Sequence, residues 1–125
     1  MKSANVIYYK TMDPRESPEL DALYWALRDQ TTEVTITTSF YKRNWRAIYT
    51  LPVSSNRKAE MEKIFSLLNS PSNPLSSREN QNFIREKGLR HTSMSVGDII
   101  RIQYRYYIVA NSGFLRLRIV EWIKY

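Results

Sequence analysis

The chain holds 125 residues, with 19 lysines and arginines against 12 acidic side chains and a net charge of +7 at pH 7. It has no cysteine, one histidine and three glycines, which excludes disulfides, thiolate catalysis, cysteine-based zinc or iron–sulfur sites, a multi-histidine metal centre and a glycine-rich phosphate loop. No apolar run is long enough to cross a membrane, and the N-terminus has no secretory h-region. The expectation is a cytoplasmic, basic, aromatic-rich protein without cofactor, metal or membrane partner, folded as one domain over residues 1–125.

Asn5 to Tyr9 is a short β-rich run, and Asp13-Pro14 marks a turn. Ser17 caps a helix that opens on Pro18 and Glu19, repeats Leu20, Leu23, Tyr24 and Leu27 on one face, and ends near Gln30. From Glu33 to Tyr41, Val34, Ile36 and Phe40 alternate with polar residues, as in a half-buried strand. Lys42-Arg43-Asn44 can turn, and Trp45, Ala47, Tyr49 and Leu51 alternate again, so the two runs read as a hairpin ended by Pro52. Ser54 or Ser55 caps a second helix, about 57–68, with Met61, Ile64, Phe65 and Leu68 on its apolar face. Residues 69–82 read as a long loop, mobile or functional, and a short helix over about 80–87 ends at Gly88. Val96-Gly97-Asp98 is a turn flanked by core residues Val96, Ile99 and Ile100. Ile99–Ala110 and Phe114–Ile123 are strand patterns joined by a hairpin turn at Asn111-Ser112-Gly113. The expected fold is α+β: a mainly antiparallel sheet of about five strands with two helices packed on one face.

Three segments within 61–117 fall in a distinctive order: Ile64-Phe65-Ser66-Leu67-Leu68-Asn69 at a helix end, His91 to Ile100 (HTSMSVGDII), and Tyr106 to Phe114 (YYIVANSGF). This order resembles the YodL-like domain, over about half the chain. The spacer between Asn69 and His91 is longer than in the family pattern, and the first 55 residues lie outside the matched region. Members of that family are small stand-alone proteins or modules of large proteins carried by bacteriophages and conjugative elements. The resemblance implies an accessory protein of a mobile element. It implies no reaction and brings no catalytic residues.

His91, Ser93 or Ser95, and Asp98 are the residue types of a hydrolytic triad, but they crowd into eight residues with no nucleophile elbow, so a turn-and-cap role is the expectation. The carboxylate pairs Glu60/Glu62 and Glu19/Asp21 fit a solvated helix face and a helix first turn. The expectation is therefore a non-enzymatic module. Residues 83–125 hold 8 basic and 3 acidic side chains, so the positive field lies in the C-terminal third. There Arg101, Gln103, Arg105 and Tyr107 share a strand face by parity, and Arg116 and Arg118 share another. A two-residue turn at Ser112-Gly113 would set Val109 opposite Arg116 and Tyr107 opposite Arg118, giving one basic face: a solvated surface, or one that meets phosphates and stacks bases. Lys42, Arg43, Trp45 and Arg46 form a second basic–aromatic cluster, with Trp45 either an exposed contact or buried under the hairpin. The leading reading is an accessory module that engages a host macromolecule, a protein first. The alternative is nucleic-acid binding through Arg101, Arg105, Tyr107, Arg116 and Arg118.

Overall fold

A computed structural model describes residues 2–10, 17–29, 33–55, 58–89 and 91–123. The strands are β1 (Lys2–Tyr9), β2 (Glu33–Thr37), β3 (Trp45–Val53), β4 (Ile99–Ile102), β5 (Arg105–Ala110) and β6 (Gly113–Val120). They form one sheet in the order β2-β6-β5-β4-β1-β3. Every pairing is antiparallel except β2 with β6. Among the described residues the helices are α1 (Pro18–Arg28), α2 (Thr38–Asn44), α3 (Lys58–Leu68) and α4 (Arg78–Glu86), with a 3-10 turn at Pro74–Ser76.

The α+β class stands, but the sheet has six strands and its helices cover both faces. The reason lies in the central strands. Val6 and Ile7, and likewise Ile99 and Ile100, are adjacent in sequence and all buried, so each strand carries apolar side chains on both sides and demands two covers. On the first face, Met61, Ile64 and Leu68 of α3, Leu75, and Ile84 of α4 pack over Val6, Tyr8, Ile100 and Ile102. On the second face, Leu20, Leu23 and Leu27 of α1 and Phe40 of α2 pack over Ile7, Ile99, Ile108, Leu115 and Leu117.

The expected Glu33–Leu51 hairpin does not form, and β2 and β3 lie at opposite edges of the sheet. Position 38 is Thr where the alternation needs an apolar residue, and the Thr37 hydroxyl accepts a hydrogen bond from the Phe40 N–H at 3.2 Å. Thr37 thus ends β2 and caps α2. The single strand expected over Ile99–Ala110 is two strands, because Gln103-Tyr104 turns the chain and sets Ile102 opposite Arg105. Gln103 adopts a φ of 57°, which a Cβ disfavours. Gln103→Gly is expected to raise the unfolding free energy by about 0.5–1 kcal/mol in urea denaturation. At the next turn Ala110 pairs with Gly113, so the loop is Asn111-Ser112 and not Ser112-Gly113, and Tyr107 opposes Arg116. Strand β6 stops at Val120, short of the expected Ile123.

The first-face helices follow the sequence more closely. Gly88, with a φ of 77°, follows α4 as its C′ residue, and the Leu89 N–H closes the end on the Ile84 carbonyl. Residues 69–82 are a packed connection and not an open loop. Leu75 is fully buried, and Asn73 donates to the Leu68 and Thr92 carbonyls while accepting from the Leu75 N–H. Val96, expected in the core, is exposed. The Asp13-Pro14 turn lies outside the described residues.

The two sheet edges differ. Strand β3 carries Pro52 and Arg46 and is bulged, since Val6 opposes Tyr49 while Ile7 opposes Ala47. These are features that blunt an edge. Strand β2 reads Glu-Val-Thr-Ile-Thr, with one charged residue at its start but no proline and no bulge, and among the described residues it has no second neighbour.

Candidate interaction surfaces

The His91–Asp98 segment is a structural clamp. Asp98 is completely buried, and its carboxylate accepts hydrogen bonds from the N–H of Tyr9 in β1 at 2.7 Å and of Ser95 at 2.8 Å. His91 Nε2 lies 3.0 Å and 3.1 Å from the two carboxylate oxygens, and the Tyr8 ring stacks on the imidazole at 4.6 Å. Burial pushes the Asp98 carboxyl up from the usual range, and the hydrogen bonds from His91, Tyr9 and Ser95 act against that push. Burial foremost, then Asp98, also pushes the Tyr8 hydroxyl up, so it stays protonated and donates to the Thr92 carbonyl at 2.6 Å. Ser95 Oγ sits 3.4 Å from the carboxylate. Serine and histidine thus converge on the acid, whereas a triad runs from nucleophile to base to acid. Among the described residues no group of three or more histidine or acidic side chains could hold a metal.

The arginines divide. Residues opposed across a sheet share a face, so Tyr49, Val6, Ile100, Tyr107, Arg116 and Glu33 form one row of the first face. Arg105, opposite Ile102, and Arg118, opposite Thr35, belong to that same face. Arg105, Arg116 and Arg118 are exposed around a half-buried Tyr107, with Arg118 on Glu33 at 3.5 Å. Arg101 is elsewhere. The Gln103-Tyr104 turn pairs it with Tyr106, on the second face, where its guanidinium lies 5.2 Å from the Tyr106 ring centroid. There burial, then Tyr106, pushes the Tyr41 hydroxyl up to about 12, with Arg101 opposing. The basic face therefore has three arginines, not four.

Trp45 is buried, at 3% exposure, and its Nε1 donates to the Gly97 carbonyl at 2.8 Å. It is a core anchor and not a contact residue. Lys42 and Arg43 are exposed on α2, while Arg46 is half-buried and donates to the Lys42 and Trp45 carbonyls. This basic cluster lies apart in sequence and strand order from the arginines of β5 and β6, which lie beyond β4 and β1 from β3.

A third surface is absent from the sequence reading. A groove of about 540 Å³ runs between α1, the edge of β2 and the segment after β6. Its lining includes all five consecutive residues of β2, Glu33 to Thr37, so it follows the strand edge and does not lie over one face. Glu19, Ala22, Leu23 and Ala26 line it as one stripe of α1, and the two alanines leave room. Trp122, 69% exposed, and Ile123 form the far wall. The sequence signal was the pair Trp122-Ile123, which strand parity absorbed into β6.

No family model matches the chain, and no solved structure matches it. An uncharacterised protein of Acanthamoeba polyphaga mimivirus is 48% identical to it over 66 residues, covering 53% of this chain and 60% of that protein. Among the described residues no helix is long and apolar enough to cross a membrane.

Proposed function

We propose that the protein is a non-enzymatic accessory module of a virus or related mobile element, acting in the host cytoplasm by engaging a host protein through the groove beside β2. The observation that carries this reading is the groove itself: a strand edge without proline or bulge, flanked by an apolar wall with an exposed tryptophan. Free edges and exposed apolar patches are where partners dock. The viral relative supports the origin, and the three ordered segments keep the resemblance to the YodL-like domain within the same reading. The use of Asp98 as a backbone clamp supports a binding role over a catalytic one. Quantitative affinity capture from host lysate tests it: Ala22→Arg, which fills the groove from an exposed helix position, is expected to lose the partner, and Arg105→Ala/Arg116→Ala/Arg118→Ala to keep it. The reverse pattern contradicts it.

The second reading, nucleic-acid binding, draws on Arg105, Arg116 and Arg118 around Tyr107. Fluorescence anisotropy against single- and double-stranded DNA and RNA is expected to give only salt-sensitive association in the non-specific range of about 10⁻⁴–10⁻⁶ M. It should be lost in the triple arginine variant and unchanged in Arg101→Ala. Strand-selective binding well below micromolar would move the function to this face.

A further inference from the structure

Resting on that reading of the groove, we propose that its occupant is an extended peptide segment with basic and apolar side chains, added to the sheet as a strand beside β2. Three features converge on this. First, β2 is short of a neighbour among the described residues, and alternate residues of any edge strand point their N–H and C=O groups outward. A partner in extended conformation satisfies those groups in a way that a helix cannot. The opposite edge, with Pro52 and its bulge, is closed to the same approach. Second, the lining of the groove by consecutive β2 residues means that an occupant meets the main chain and not one pleated face. An added strand places its side chains alternately toward α1 and toward Trp122. Third, the charge in the groove runs against the charge of the protein. In a chain of net +7, Glu19 on the α1 wall and Glu121 on the far wall flank the groove, with Glu33 at β2 already leaning on Arg118. Among the described residues Arg43 is the one cation in the lining. Carboxylates on both walls favour lysine or arginine on the incoming strand, with apolar residues between them facing Leu23, Phe40 and Trp122.

The experiment uses the full chain and a fluorescein-labelled ten-residue peptide of alternating lysine and valine, read by anisotropy and by amide hydrogen exchange. The expected result is saturable binding with exchange at the outward amides of residues 34–37 slowed about tenfold or more, as for newly paired backbone groups. N-methylation of alternate peptide nitrogens, replacement of lysine by glutamate, or Ala22→Arg in the protein should each weaken binding about tenfold or more. Arg105→Ala should leave it unchanged. Equal binding of the N-methylated peptide, unchanged exchange in β2, or a dimer joined through β2 in sedimentation would overturn strand addition by a peptide. If the peptide fails while Ala22→Arg still abolishes capture of a host protein, the strand-addition inference falls and the groove reading stands. If both fail, both fall.

Discussion

Asp98→Ala is expected to lower the unfolding free energy by about 3–5 kcal/mol, a fall in Tm on the order of 10–20 °C for a domain of this size. The loss does not come mainly from a broken ion pair, because His91 is half-exposed and can turn to solvent. It comes from the N–H groups of Tyr9 and Ser95, which lose the acceptor at 2.7 Å and 2.8 Å and are left buried or partly buried. Each such orphan costs about 1–3 kcal/mol. The clamp also joins β1 to the turn that launches β4, so its removal loosens the centre of the sheet. Asp98→Asn keeps the shape but offers an amide N–H where the site supplies donors, and should cost about 1–3 kcal/mol. Ser95→Ala removes only the 3.4 Å contact and should stay within about 0.5 kcal/mol. Urea denaturation of the three variants checks the order. A costly Ser95→Ala with a mild Asp98→Ala would refute the clamp.

Trp45→Ala should cost about 3–5 kcal/mol. The indole sits edge-on to Tyr9 at 4.4 Å and to Phe40 at 5.4 Å and lies near-parallel to Tyr41 at 6.0 Å, so its deletion opens a cavity where α2, β1 and β3 meet. Trp45→Phe retains much of the packing and loses the bond to the Gly97 carbonyl, for an expected cost of about 1–2 kcal/mol. Neither variant, measured where it is folded, should change partner binding. Fluorescence-monitored urea curves with the capture assay separate the two effects. A Trp45→Ala protein as stable as the parent but unable to bind would make the residue a contact.

What the sequence disclosed follows the local signals. Ser17 before Pro18, the Leu20, Leu23 and Leu27 repeat, and Gly88 after a short polar helix each act within a few residues, and each appears as read, although Tyr24, read onto the same face as those leucines, is exposed. Two misreadings have different causes, a local rule that competes with a longer pattern and a turn with no local signal. Thr37 continues an alternating strand and also caps a helix, and the cap won because the next residue, Thr38, gave the alternation nothing to bury. Gln103-Tyr104 carries no glycine, proline or asparagine, so nothing announced the turn, and Tyr104 at 90% exposure appears only in the folded chain. That unannounced turn moved Arg101. In a continuous strand residues 101 and 105 share a face, but a two-residue turn between 102 and 105 places them on opposite faces. The groove was illegible for another reason. It depends on which strand is left at the edge, a consequence of the parallel pairing of β2 with β6 that no local pattern encodes.

Site-specific photo-crosslinking tests the groove most directly. A benzoylphenylalanine at exposed Ala22 on the groove wall is compared, in the expressing cells, with one at exposed Thr50 on the opposite edge and one at exposed Arg105 on the basic face. The account predicts a discrete crosslinked protein from position 22 and none of comparable yield from 50 or 105. Crosslinks confined to position 105, whether to protein or to nucleic acid, would contradict it.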